Sequence, residues 1–498
     1  MSASKPDGDR DVIPRWRDPH ATIEQGELGP VRRPQEGDNY LRDFDGLREL
    51  ERAWNENKSL AFALDLVGSA LVVGGSPSSS EAAQYVLDNA KQVSPLAIGI
   101  SRQLLGSPTS SSQQILAEPA TAELRNEIHD LRHRLGTDPR RTLIWTELAR
   151  HYTIAGLPDK ASSSMRVALA LSPEHRYVLR AAARLAIHNG EFDSAHSIIA
   201  RAARTRSDPW LVATELATAE VADRRPQLLR HAKRMLESDQ FLPFATTELS
   251  SALATLDLRS GKDRAARRLF SQSLAAANEN AIAQGEWASH HLRGIEIPDN
   301  QRAESPEASA RASSEAGEWE QAVFACRRWL DDQPFSSGPA ELGSYEASLG
   351  QDYATGVELA RRGLRANPDE FLLRNNLVFC LINAGDLGRA SDEFIRIDEA
   401  TLDRQERATY LATAGLLAFR QGFPDIGHTN YIEAIRLLEG RRQKTVATIL
   451  LARELLLSKQ PEAPIAVQEA EEIGEQEADG HPDIALWLKH LQSLTARR

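Results

Sequence analysis

The order of apolar and polar residues divides the chain into an N-terminal segment without hydrophobic periodicity and a long remainder with helical periodicity. Residues 1–39 show no hydrophobic period and are rich in proline, glycine and charge, which predicts a disordered tail. From residue 40 onward, apolar residues such as Leu47, Leu50 and Trp54 recur at helical spacing. The pattern predicts a helical N-terminal region over 40–140, whose helices are either degenerate repeats or an effector domain of their own.

A repeated pattern begins at Thr142. The first copy places its key residues at Trp145, Leu148, Ala149, Tyr152, Gly156, Ala161 and Met165. Matching positions return 34 residues later, at Leu179, Ala182, Ala183, Ala186, Gly190, Ala195 and Ile199. The same offsets recur from Thr247, Ser337, Phe371 and Ala408. A period of this length holds two helices and a turn, so the pattern predicts tandem helical hairpins.

The size of the residue at each repeated position indicates how the hairpins pack. Small residues fall where two helices touch, and larger ones fill the groove against the next hairpin. Glycine falls at the turn, as at Gly156 and Gly190, where a positive φ is easiest for this residue. The residues predicted to form the repeat core are Trp145, Leu148, Ala149, Tyr152, Ala161, Ala183, Ala195, Ala254, Ala266, Phe270, Ala390 and Phe394.

The first copy resembles the tetratricopeptide repeat (TPR), whose Trp-x2-Leu-Gly-x2-Tyr … Ala-x3-Phe … Pro pattern it follows from Trp145 to Pro173. The resemblance implies an all-α protein, a right-handed α-solenoid of TPR-like hairpins. We expect one array over 141–294, a second over 303–440, and closing helices over 441–498. Between the arrays, a proline-containing loop near 294–304 interrupts the pattern.

Composition narrows the class of protein. The net charge of −12 argues against general binding to nucleic acid or to an anionic membrane. Two cysteines exclude a disulfide framework and a cysteine-rich zinc module. The most apolar stretch, 60–75, is too short to span a bilayer and contains Asp65. We expect a cytoplasmic protein that does not enter membranes.

Motifs for catalysis are missing from the sequence. Ser260-Gly261-Lys262 has the Gly-Lys of a phosphate-binding loop, but Leu256 stands where the first glycine is required. Neither a Gly-x-Ser-x-Gly elbow nor a His-Glu-x-x-His motif occurs. The sequence therefore predicts a non-enzymatic protein without cofactor or metal.

The favoured interpretation is a scaffold, adaptor or regulatory subunit that binds a protein or peptide. In TPR stacks the first helix of each hairpin lines the concave surface. The resemblance thus implies a partner-binding surface that contains Arg150, Arg180, Arg184, Asn375, Asn376, Phe379 and Asn383. The three arginines would suit an acidic peptide or a C-terminal carboxylate. The alternative is that all of these are ordinary residues, either solvated or paired in salt bridges within the array.

A second hypothesis starts from arginines that recur late in the second helices. Arg264, Arg267 and Arg268 form the clearest group, a candidate basic outer stripe. Cations are favoured at the C-terminal end of any helix, which explains them without a ligand. The functional alternative is contact with RNA or DNA, in a regulator or sensor that controls a partner nuclease or toxin.

Overall fold

A computed structural model describes residues 15–16, 46–73, 76–93, 95–105, 121–238 and 240–496. All regular secondary structure in these residues is helical. The chain divides into two compact units, unit 1 (Met1–Pro298) and unit 2 (Asp299–Arg498). The predicted disordered tail lies outside the described residues, apart from Arg15 and Trp16.

Unit 1 contains fourteen α-helices among its described residues. They are α1 (Gly46–Glu56), α2 (Leu60–Val73), α3 (Pro77–Asp88), α4 (Pro95–Leu104), α5 (Ala122–Thr137), α6 (Thr142–Ile154), α7 (Pro158–Leu171), α8 (Arg176–His188), α9 (Phe192–Arg201), α10 (Pro209–Val221), α11 (Leu229–Glu237), α12 (Thr247–Arg259), α13 (Asp263–Leu274) and α14 (Glu279–His291). Short 3-10 turns lie at Ala90–Gln92, Ala203–Ser207 and Pro243–Thr246.

Unit 2 adds twelve α-helices among its described residues. They are α15 (Asp299–Arg302), α16 (Pro306–Glu315), α17 (Trp319–Asp332), α18 (Gly338–Leu349), α19 (Tyr353–Ala366), α20 (Phe371–Asn383), α21 (Leu387–Phe394), α22 (Arg404–Arg420), α23 (Pro424–Leu437), α24 (Arg441–Leu457), α25 (Ala463–Glu477) and α26 (Pro482–Thr495). Two 3-10 turns lie at Glu399–Thr401 and Ala478–Gly480.

The helices form successive hairpins in which neighbours along the chain pack together. In unit 1 the pairs are α6 with α7, α8 with α9, α10 with α11, and α12 with α13. In unit 2 they are α16 with α17, α18 with α19, α20 with α21, α22 with α23, and α24 with α25. First helices of consecutive hairpins also touch. For example, α6 contacts α8, and α18 contacts α20. The predicted all-α solenoid of TPR-like hairpins is confirmed.

Small residues lie at the helix contacts, as the sequence pattern predicts. Eleven of the twelve predicted core residues are buried; Phe394 is half-buried and stacks on Tyr410 with ring centroids 4.7 Å apart. A Cβ atom added at Gly356 would lie 2.5 Å from Cys380 Sγ, and one at Gly427 would lie 2.5 Å from Phe419 Cδ2. The helices are therefore too close at these points for a larger residue.

The helices before the first repeat share a core of their own. Trp54, Leu66 and Val86 are buried there, and the half-buried Val167 of α7 packs against them. This region therefore joins the hairpins of unit 1 through α7. In the part of the chain that the structure describes, no helix is both long and apolar enough to cross a lipid bilayer.

Each hairpin turn depends on one residue in the left-handed conformation. Gly156, at φ 67°, is an example; the next amide, that of Leu157, donates to the carbonyl oxygen of Tyr152 at 2.9 Å. This hydrogen bond closes the end of the first helix. Three hairpins lack the glycine and place Asp223, Gln351 or Lys459 in the same conformation, with φ of 53°, 60° and 57°.

We predict opposite effects on stability at two of these turns. Gln351→Gly should raise the free energy of unfolding and Gly385→Ala should lower it, each by about 1 kcal/mol, because a side chain is disfavoured at positive φ. Gly385 has open space around a built Cβ, so its substitution reports the backbone alone. Urea unfolding measures both changes. Shifts of the same sign would contradict this account of the turns.

Candidate functional site

The first helices of unit 1 are buried on all sides. Burial is continuous over 177–186 in α8, 209–219 in α10, 247–255 in α12 and 280–288 in α14. These stretches include charged side chains, which are rarely buried unless they are paired. We call the surface formed by Glu147, Arg150, Arg180, Arg184, Glu248, Asn278 and Glu279 the first-helix face of unit 1.

One ion pair on this face joins α8 to α12. Arg180 donates to both carboxylate oxygens of Glu248, at 2.8 and 3.1 Å, and Asn278 donates to the same carboxylate at 2.9 Å. Burial would raise the pKa of Glu248, but the charge and hydrogen bonds of Arg180 outweigh it and lower the pKa. The Arg180 guanidinium also lies 5.2 Å from the Trp210 ring centroid. The carboxylate thus stays ionised although it is buried.

A second pair lies on α6. The Arg150 guanidinium donates to Glu147 at 3.1 Å, and the Tyr177 hydroxyl donates to the other carboxylate oxygen of Glu147 at 2.8 Å. All three side chains are buried. Two of the three predicted arginines therefore bind glutamates of the same unit, and part of their capacity for an acidic ligand is already used.

The third predicted arginine, Arg184, lies close to residues from the start of the chain. Burial, and then the positive charge of Arg15, lower the pKa of Arg184 to about 10. Arg15 itself is 6% exposed and donates to Glu279, at the start of α14, at 2.6 Å. Trp16 is completely buried. Trp16 follows Arg15 directly in the chain, so its backbone lies within a few ångströms of this ion pair, by the Cα spacing of about 3.8 Å.

Sequence reasoning located only part of this face. It named Arg150, Arg180 and Arg184, and the structure places all three on the face. It missed the glutamates that bind them: Glu147 lies three residues before Arg150 on α6, whereas only the fold brings Glu248 near Arg180. It also missed Arg15 and Trp16. The one available signal was a tryptophan inside a polar tail, where a large apolar side chain has no obvious role.

In unit 2, the predicted residues of α20 have other neighbours. Asn375 is buried, while Asn376 donates to Ser344 Oγ at 3.0 Å. Phe379 meets the Trp487 ring of α26 edge to face, with centroids 6.1 Å apart. Asn383 accepts a hydrogen bond from Arg453 at 3.3 Å. The polar and apolar side chains of this face thus contact helices of the same unit, among them α26.

An acidic cluster lies beside this face, where the first helices of unit 2 begin. Glu370 stands at the N-terminal cap of α20. Burial, and then the negative charges of Glu341 and Glu406, raise its pKa to about 7. Glu370 therefore titrates near neutral pH, and its ionised form opposes folding.

The predicted basic outer stripe is on α13. Arg264 and Arg268 are exposed. Arg267 is half-buried, and its Nε donates to the carbonyl oxygen of Arg293 at 2.9 Å. One of the three arginines therefore supports the loop after α14, and the other two face solvent.

Histidine, cysteine and acidic side chains do not form a metal-binding group of three or more within the described ranges. Cys326 and Cys380 are free thiols and are buried. Burial is the main cause that raises the pKa of both, for Cys380 to about 12. Both thiols are therefore held in their protonated, unreactive form at neutral pH.

Comparison with known proteins finds similarity in three-dimensional structure only. No protein-family model matches the chain, and no curated protein matches its sequence. The human IFIT1 dimer with PPP-AAAA is 14% identical, with a TM-score of 0.37 over 77% of this chain and 97% of that chain. The APC/C hetero-tetramer Cut9-Hcn1 is 14% identical, with a TM-score of 0.36 over 91% of this chain and 96% of that chain.

Yeast Tom70 is 12% identical, with a TM-score of 0.29 over 75% of this chain and 93% of that chain. All three TM-scores are low. The ligands and assemblies named for those proteins are therefore properties of those proteins.

The buried ion pair of the first-helix face leads to a stability prediction. Arg180→Met should lower the free energy of unfolding by about 3–5 kcal/mol, because it leaves the buried carboxylate of Glu248 without its counter-charge. Adding Glu248→Gln should recover part of the loss. The control is Arg436→Met, at an exposed ion pair with Glu433, which should cost less than about 1 kcal/mol. Urea unfolding of the four proteins would refute the pairing if the double variant were no more stable than Arg180→Met.

The acidic cluster leads to a prediction about pH. The folded chain keeps a proton on Glu370 up to about pH 7, whereas an unperturbed glutamate releases it near 4.5. Folding therefore takes up protons between these pH values, and the free energy of unfolding falls as pH rises through this window. Glu370→Gln should stabilise the protein by about 1–3 kcal/mol at pH 8 and much less at pH 5.

Thermal melts at the two pH values measure this difference. The control is Glu475→Gln, at an exposed glutamate of α25, which should have the same small effect at both. A stabilisation by Glu370→Gln that does not change with pH would show that charge repulsion is not the cause.

Proposed function

We propose that this chain is a cytoplasmic scaffold or adaptor, binding rather than catalytic, that holds a segment of a partner protein on the first-helix face of unit 1. The observation that supports this proposal is the position of Arg15 and Trp16. These residues belong to no helix, yet both are buried, and Arg15 pairs with Glu279 on this face. A face that accommodates one non-helical segment has the chemistry to accommodate another.

The polar groups of the face suit a peptide. Asn278, Asn280 and Gln284 lie near the start of α14, and all three are buried. Asn278 donates to Glu248 and accepts from the Ala281 amide, and Gln284 donates to Thr255 Oγ1, so these amides fix the positions of the polar groups that a peptide would meet. The buried charges around them are arranged in pairs, so that a ligand is recognised by position as well as by net charge.

An alternative function, binding of nucleic acid by a regulator of a nuclease or toxin, is supported by the exposure of Arg264 and Arg268. Their guanidinium groups face solvent on α13, where a phosphate backbone could reach them. The two functions use different surfaces of unit 1, so one set of variants separates them.

We expect the full-length protein, cross-linked in its native cell, to retain a stoichiometric protein partner whose cross-links map to α8, α12 and α14. Glu279→Lys should reduce recovery about fivefold or more, because it reverses the charge that a ligand meets at the start of α14. Glu475→Lys on α25 and Arg264→Ala/Arg268→Ala on α13 should leave recovery unchanged. Mass spectrometry with isotope-labelled wild type as the reference measures the ratio.

The proposal fails if no stoichiometric protein is recovered, or if its cross-links map away from these helices. Nucleic acid that co-purifies with the wild type and is lost from the Arg264→Ala/Arg268→Ala variant would favour the alternative function.

A further inference from the structure

We propose that the first-helix face of unit 1 selects segments in which an arginine is followed by a large aromatic residue, and that Arg15–Trp16 is its intrachain ligand. The inference rests on the proposed function, since it names the chemistry of the ligand and the step that controls access. A partner segment of the same class must displace Arg15–Trp16 before it can bind.

The burial of the two residues shows that they occupy a formed site. Arg15 is 6% exposed and Trp16 is not exposed at all. Arginine is rarely buried without a specific partner, and tryptophan is rarely buried completely. Residues that merely lay across the surface would keep much of their side chains in water. The two residues lie outside the repeats, since 29 residues separate Trp16 from the start of α1.

Charge explains the preference for arginine. Arg15 donates to Glu279 at 2.6 Å, and the two side chains are only 5% and 13% exposed. An acidic residue in this position would lie beside the Glu279 carboxylate with little water to separate the charges. Burial, and then the nearby charge of Arg15, lower the pKa of Arg184. Arg15 is therefore held at this position although Arg184 carries a like charge. Glu279 is thus the group that decides which charge the site accepts.

The same charges favour a peptide over a nucleic acid at this position. A phosphate group that replaced Arg15 would meet the Glu279 carboxylate at hydrogen-bonding distance. The bound example is a guanidinium, and the next residue is a fully buried tryptophan, a residue type enriched in protein-binding hot spots. A protein segment with both features is the ligand that fits.

The connection to the rest of the chain makes this ligand a competitor. Residues 17–45 join Trp16 to α1, and 29 residues can span up to about 100 Å. A segment joined covalently to its site keeps its local concentration when the protein is diluted. An external segment of equal intrinsic affinity therefore binds only when it is abundant, and at low concentration only a segment of higher affinity can displace Arg15–Trp16.

The test uses a fluorescein-labelled peptide of residues 8–23 and the full-length protein. Fluorescence anisotropy should show that the peptide binds the Arg15→Ala/Trp16→Ala protein at least about tenfold more tightly than it binds wild type, because the tethered competitor is disabled. A peptide that carries the same two substitutions should bind at least about tenfold more weakly. Glu279→Gln in the Arg15→Ala/Trp16→Ala protein should also weaken binding of the unaltered peptide about tenfold.

Arg15→Glu alone provides a second design that keeps Trp16, in case the double substitution prevents folding. It should also open the site to the labelled peptide. Glu475→Gln, on α25, is the matched control for Glu279→Gln and should have no effect. Equal binding to wild type and to the opened variants, or no binding to any of them, would overturn the proposal.

Recovery of a cellular partner tests the proposed function, and it is separate from the peptide-binding experiment. Peptide binding that depends on Glu279 supports the inference even if no cellular partner is recovered, and in that case only the proposed function fails. A partner recovered equally by wild type and by Arg15→Glu, with no change in peptide binding, would overturn the inference and leave the proposed function standing.

Discussion

The hairpins of both units depend on the close approach of paired helices at alanine and glycine positions. Ala149, Ala183 and Ala254 are completely buried where a first helix meets its neighbour. In unit 2, Gly356 leaves no room for a Cβ beside Cys380. Since packed interiors do not tolerate an added methyl group without movement, these positions fix the distance between the helices. The distance in turn fixes which side chains of successive first helices lie next to one another.

The first-helix face of unit 1 is a consequence of that spacing. A first helix packed between its partner and the first helices of the hairpins before and after it has no side that is fully in water. Its charged residues must then be compensated from nearby helices, as Arg180 on α8 compensates Glu248 on α12. The result is a rigid, paired set of charges, on which a bound segment is recognised by a few fixed groups.

Much of this fold could be predicted from the sequence, because its determinants are local and repeated. Glycine at a constant offset predicted the turn at Gly156, and alanine at a constant offset predicted the helix contacts. The turns at Asp223, Gln351 and Lys459 were not predictable from glycine, since their left-handed residues carry side chains. The candidate site was predicted only in part. A surface arginine and a buried one have the same sequence signature, and the partner of Arg180 lies 68 residues away. The buried position of Arg15–Trp16 has no periodic signal at all.

The claim on which the rest depends is that Trp16 is seated on the first-helix face of unit 1. Replacing Trp16 with the photo-reactive residue p-benzoylphenylalanine in the full-length protein tests this directly. After irradiation at low protein concentration, mass spectrometry should find an intrachain cross-link from position 16 to α8 or α14. Cross-links confined to other helices, or labelling by solvent alone, would contradict the account.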